Sequence, residues 1–206
     1  MNSQIQRYTA RERSNHWVVA IAFVLAALSG LALFHPAFFF LTNLFGGGPW
    51  TRILHPYIGV VMCLFFVAMA VRFWRFNRIT SADRQWMGRI KDVLCNRDAN
   101  LPELGKYNAG QKILFWTMVV SIPVLLLTGI AIWQPWFAPY VPIWLMRVAV
   151  VLHALAAWIM ILGIIVHVYA AIWVKGTIRA MTRGTVSAAW ARHHHRAWYR
   201  EMTGKQ

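Results

Sequence analysis

The residues from Val148 to Val174 form an unbroken stretch of 27 without Asp, Glu, Lys or Arg, yet it carries two histidines, His153 and His167. At ~1.5 Å rise per residue a helix of that length runs ~40 Å, more than a bilayer needs. The histidines lie 14 positions apart. At about 100° per residue they return to within about 40° of one direction, about 21 Å apart along the axis. One helix then presents two imidazoles on one face, one near each membrane edge. The remaining sequence must supply each with a partner at its own depth.

Three further uncharged runs precede it: Trp17–Phe34, Ile53–Val71 and Ile113–Trp133. Only 13% of the residues are charged against 59% hydrophobic, which fits a membrane protein whose charges are collected outside its spans. The expected fold is an all-α integral membrane protein, a four-transmembrane-helix bundle with helices at about 17–34, 53–73, 112–134 and 147–174. A loop at 75–111 and a basic tail at 175–206 complete one domain over residues 1–206. The first run is too long for a signal-peptide core and is read as an uncleaved helix. Pro56 suits a first helical turn and Pro123 predicts a kink in the third helix. The Phe38-Phe39-Phe40 cluster, and Trp136, Phe137, Tyr140 and Trp144 around a short turn, read as interfacial aromatics. The segment Asn96-Arg97-Asp98-Ala99-Asn100 reads as part of a polar loop.

Four spans put both termini on one side, and charge selects the side. Of the 21 Lys and Arg, nineteen lie in the N-terminus, the 72–112 segment and the tail; the two other connections hold only Arg52 and Arg147. The positive-inside rule makes the former side cytoplasmic, and the chain a multi-pass protein of the bacterial cytoplasmic (inner) membrane. Topology thereby explains the net charge of +15 without a nucleic-acid partner. The two cysteines, Cys63 and Cys95, imply no disulfide framework, and no Cys-x-x-Cys-His motif for c-type haem is present.

With that topology the histidines sort by depth. His16 begins the first helix on the inside, and His167 lies toward the same edge; His55 begins the second helix on the outside, near His153. An outer pair, His55 with His153, and an inner pair, His16 with His167, result. A six-coordinate haem iron takes two axial ligands from opposite faces, and neutral imidazole serves well. The expectation is two b haems, with these four residues as haem-binding axial ligands of the iron. Gly30, Gly59 and Gly163 would let a flat macrocycle, or a neighbouring helix, approach the backbone. His35 reads as an interfacial residue, and His193-His194-His195 as solvated or in contact with another subunit. Trp190, His194 and Trp198 recur every four residues, which suits one helical face.

These residues carry a family likeness. Arg7-Tyr8-Thr9 through Asn15-His16-Trp17, Ile53-Leu54-His55-Pro56, Lys106-Tyr107-Asn108-Ala109-Gly110-Gln111-Lys112, the His153–His167 spacing, Trp173-Val174-Lys175-Gly176-Thr177-Ile178 and Trp198-Tyr199-Arg200-Glu201 run nearly the whole chain. In them it resembles the gamma, cytochrome b subunit of membrane-bound respiratory formate dehydrogenases. Arg11 and the His195-Arg196 pair depart from the expected pattern, outside the haem pairs. The resemblance implies the same haem pairing and a quinone site formed by Asn108, Gly110, Gln111 and His167. It also implies an iron–sulfur beta subunit, a molybdenum- or tungsten-pterin alpha subunit, membrane lipid contacts and a trimer of heterotrimers. Electrons would pass from the periplasmic iron–sulfur subunit across the membrane to a quinone, menaquinone or ubiquinone, in anaerobic respiration. The subunit itself would not oxidise formate. The cytochrome b subunit of a nickel–iron hydrogenase or another periplasmic oxidoreductase shares this plan, and a transporter or haem-free anchor would use the histidines for protons.

Overall fold

The computed structural model describes residues 4–95, 97 and 101–204; Asn96 and Asp98, Ala99 and Asn100 of the polar loop segment lie outside them. Four long helices carry the apolar runs: α1 (Ala10–Phe34), α2 (Gly48–Phe73), α5 (Ala109–Ile132) and α6 (Ile143–Trp173). Two short helices, α3 (Ser81–Gly88) and α4 (Ile90–Leu94), lie between α2 and α5. After α6 come α7 (Thr177–Arg183), α8 (Ala188–His194) and α9 (Arg196–Thr203). Each long helix is long and apolar enough to cross a membrane. Large apolar side chains such as Leu64, Val71, Leu127, Val151 and Ile172 stand outward on them, as lipid-facing positions do.

The helices begin earlier than the charge-free runs because their first turns are polar and capped. Thr9 N–H donates to Glu12 Oε2 at 2.7 Å, and Glu12 N–H donates to Thr9 Oγ1 at 3.3 Å, closing a capping box on α1. Asn108 and Gln111 close an equivalent box on α5. α2 starts at Gly48, so Pro56 lies inside the helix rather than in its first turn. Pro123 lies inside α5. The Phe38-Phe39-Phe40 cluster falls in a 3-10 helix, Pro36–Phe45, whose N-cap is His35; its Nδ1 accepts from the Ala37 N–H at 3.2 Å.

The chain divides into two compact units. The first comprises 1–13, 71–116 and 166–206. Here β1 (Gln4–Gln6) pairs antiparallel with β2 (Thr185–Ser187), Ile5 opposite Val186. Gly184 leads into β2 at φ 81°, and a Cβ there would meet Tyr8 O at 2.6 Å, so only glycine serves. Ala180, Val186, Ala191 and Trp198 are buried together beneath Ile5, Tyr8, Trp190 and Tyr199. A second cluster joins Trp86, Leu104 and Ala109. The tail is thus folded, and His195 is 3% exposed, which corrects the solvated reading for that residue, while His193 is exposed and His194 half-buried. Its φ of −144° and ψ of 60° break the helix between α8 and α9, so Trp190 and His194 share a helix that Trp198 does not.

The second unit comprises 14–70 and 117–165, and holds the greater part of the four apolar runs. Its aromatic pairs include Phe34–Trp158 and Tyr57–Trp133, centroids 6.1 and 5.1 Å apart. Trp136, Tyr140 and Trp144 stand exposed near the α5–α6 turn, as interfacial aromatics do.

Candidate functional site

In the second unit, α1, α2, α5 and α6 surround a cavity of about 550 Å³ whose walls are mostly apolar. His55 and His153 line it from α2 and α6, their ring centroids 6.2 Å apart and their planes at 69°. Two imidazoles on opposite faces of one metal ion, each nitrogen about 2.0 Å from it and about 1.2 Å from its own ring centre, would place the centroids roughly 6.4 Å apart. The observed separation leaves room for one metal ion that the two rings would hold together. Arg52 is the only charged side chain in the described lining.

Each ring is held from behind in the same way. Ser29 Oγ donates to Leu25 O at 2.7 Å, and the same oxygen lies 2.9 Å from His55 Nδ1. Thr128 Oγ1 donates to Val124 O at 2.6 Å and lies 2.9 Å from His153 Nδ1. A hydroxyl has one proton; with it committed to a backbone carbonyl, the oxygen accepts from the imidazole. Both histidines therefore carry their proton on Nδ1 and keep the Nε2 lone pair for a ligand. Such a partner on the far nitrogen fixes the tautomer and orientation of a metal-binding histidine.

The residue after each hydroxyl is glycine. A Cβ on Gly30 would sit 3.2 Å from His55 Cε1, and one on Gly129 would sit 3.3 Å from His153 Cε1. A side chain at either position would crowd the ring, which would have to give by a few tenths of an ångström. A Cβ on Gly59 would meet nothing within 4 Å, and that residue borders the cavity, in keeping with room for a flat group. Ser29, Thr128 and Gly129 were absent from the expected site. The signal available was a hydroxyl–glycine dipeptide recurring 25 or 26 positions ahead of each outer histidine.

His16 lies on α1 in the second unit, its ring edge-on to Trp17 at 5.7 Å, and His167 lies on α6 in the first unit. Both are half-buried.

Also in the first unit, Asn108 N–H donates to Gln111 Oε1 at 3.0 Å and Gln111 N–H donates to Asn108 Oδ1 at 2.9 Å. The box uses both amide oxygens and leaves both amide NH2 groups as donors, the polarity a quinone oxygen requires. Gly110 is exposed between them; a Cβ would come no closer than 3.5 Å to Asn108 Oδ1 or the Trp86 ring. Beside them, Lys112 Nζ meets Asp83 Oδ2 at 2.7 Å in a buried ion pair and also donates to Arg78 O at 2.9 Å. Burial alone would raise the Asp83 pKa, but hydrogen bonds from Lys112 and Thr80 outweigh it and hold the carboxyl below its ordinary value.

The model of the family described as prokaryotic cytochrome b561 matches residues 7–184. The chain is 46% identical over 198 residues to the formate dehydrogenase cytochrome b556(fdo) subunit of Escherichia coli strain K12, covering 96% of this chain and 93% of the relative. It is 44% identical over 191 residues to that organism's nitrate-inducible formate dehydrogenase cytochrome b556(Fdn) subunit, covering 93% and 88%. To the formate dehydrogenase cytochrome b556 subunit of Haemophilus influenzae it is 38% identical over 200 residues, covering 97% and 84%.

Proposed function

Because the chain belongs to the prokaryotic cytochrome b561 family, as a multi-pass membrane cytochrome b subunit of formate dehydrogenase, we propose that it carries two haems b and conducts electrons from a periplasmic donor to a quinone on the cytoplasmic side. His55 and His153 hold the outer haem through Nε2, with Ser29 and Thr128 securing the opposite nitrogens. His16 and His167 hold the inner one. Arg52 supplies a positive charge for a haem carboxylate. The bound iron supplies one-electron redox change, and the protein contributes ligation, burial and orientation. The spacing of His153 and His167 on α6 separates the two sites by about 21 Å along the helix.

Asn108 and Gln111 offer their amide NH2 groups to a quinone oxygen, with Gly110 leaving room for the ring. His167 belongs to both the inner haem and this site. An iron–sulfur beta subunit outside, fed by a molybdenum- or tungsten-pterin alpha subunit, delivers the electrons, and the heterotrimers assemble in threes. Both termini face the cytoplasm, a reading supported by the nineteen of 21 basic residues that lie in the termini and the 72–112 segment. Negative charge moving inward together with proton uptake inside stores about 2.3 kcal/mol per charge per 100 mV.

The observation that carries this reading is the pair of facing outer imidazoles, each anchored by Nδ1 to a hydroxyl. The test is haem stoichiometry and a reduced-minus-oxidised spectrum of the purified complex. Two b haems per chain are expected; one haem, or none, would contradict it.

A further inference from the structure

The segment before the Asn108–Gln111 turn has no regular structure, so its backbone carbonyls must find partners elsewhere. Three in succession do, in the tail and the N-terminus. Leu104 O accepts from the Ala197 N–H at 3.2 Å and from Trp198 N–H at 3.5 Å. Gly105 O lies 2.7 Å from His195 Nδ1. Lys106 O accepts from Arg7 Nη2 at 2.5 Å. Glu103 adds an exposed ion pair to Arg200 at 2.8 Å.

The two side chains of this grip are tied to each other. Arg7 Nη2 lies 3.2 Å from His195 Nε2, and a guanidinium can only donate. His195 Nε2 must accept, so Nδ1 carries the proton and donates to Gly105 O. Burial, then the Arg7 charge, push the His195 pKa down to about 3, so the ring keeps this neutral form. Arg7 is 4% exposed, with its guanidinium carbon 4.9 Å from the Trp198 ring centre, 5.0 Å from Trp190, 5.7 Å from Tyr8 and 5.9 Å from Tyr107. These rings hold the cation where its donors reach both His195 and the loop. Tyr107, itself buried against the guanidinium, is the residue immediately before Asn108.

We propose that His195 and Arg7 form a clamp that fixes the backbone of Leu104–Lys106 and so positions the Asn108–Gln111 turn for quinone. The inference rests on the quinone reading above. His195 and Arg7 are positioning residues: they touch the loop, not the quinone. The C-terminal tail thereby acquires a role in quinone binding through a residue more than eighty positions from the site.

The test uses the purified formate dehydrogenase complex with His195→Ala, His195→Asn and Gln111→Glu variants. His195→Ala removes both the hydrogen bond to Gly105 O and the acceptor for Arg7, and should raise the quinone KM about tenfold. Haem content, and formate oxidation with a dye that accepts electrons ahead of the quinone, should stay unchanged. Asparagine can keep a donor toward Gly105 O, so His195→Asn should restore KM to within about twofold of the parent. Hydrogen exchange should quicken across 103–111 in His195→Ala and not in His195→Asn. A normal KM in His195→Ala beside a raised one in Gln111→Glu would overturn the clamp and leave the quinone reading standing; normal values in both would overturn the two together. Should His195→Ala fail to assemble, Arg7→Met keeps an apolar stem among the rings but has no donor for Lys106 O or His195; a raised KM there supports the clamp and a normal one overturns it.

Discussion

Ser29 and Thr128 each serve two partners at once: a carbonyl one turn back on their own helix and an imidazole on the next. Replacing either with Ala removes the acceptor for an Nδ1–H in an apolar site. Loss of such an outer-shell partner commonly costs about 10–100-fold in metal affinity. The Ser29→Ala and Thr128→Ala chains should each lose haem from one site only during dilution, followed by absorbance; retention equal to the parent would remove these hydroxyls from the account. His195 provides a second test at this scale. Its pKa is lower in the folded chain, about 3, than the ordinary value of 6.5. The unfolded chain therefore binds more protons between those values, and stability falls as pH drops below 6.5. The slope from this group is at most about 1.4 kcal/mol per pH unit. Asp83, held below the carboxylate range, adds acid sensitivity only below about 4. Thermal midpoints should fall between pH 6.5 and 4.5 more steeply in the parent than in His195→Asn; equal slopes would place His195 in water.

Helices were the most legible elements, because an uncharged run of twenty residues has few other fates. Their beginnings were not, because Thr9-x-x-Glu12 and Asn108-x-x-Gln111 are polar and lie before the apolar runs. The hydroxyls behind the outer histidines were hidden for a different reason: a serine in an apolar helix usually bonds its own backbone, and the second partner is supplied by another helix. The tail was illegible because its core, Val186, Ala191 and Trp198, closes only over β1 from the opposite end of the chain. The box on α5 also separates two roles that share Gln111. Gln111→Glu keeps an oxygen for the Asn108 N–H, and so keeps the helix start, but removes the amide donor. Quinone reduction should drop at least about tenfold, as expected for one lost hydrogen bond in a site, with α5 and haem content intact. Full turnover would show that the box is only a cap.

At the scale of the molecule, the four apolar helices fit a membrane cytochrome b, and family and relatives identify formate dehydrogenase as the enzyme it serves. The directed path proposed above depends on two separate haem sites. A cavity with both outer histidines belongs to one compact unit, and among the described residues its lining comes from that unit. Removing one of its ligands should therefore spare the other site. The decisive measurement is a potentiometric titration of haem b in the complex carrying His55→Ala, set beside the parent. The parent should titrate as two one-electron b components, and the variant as one, with half the haem and the remaining potential unchanged. Loss of both components, or of neither, would contradict the pairing of His55 with His153.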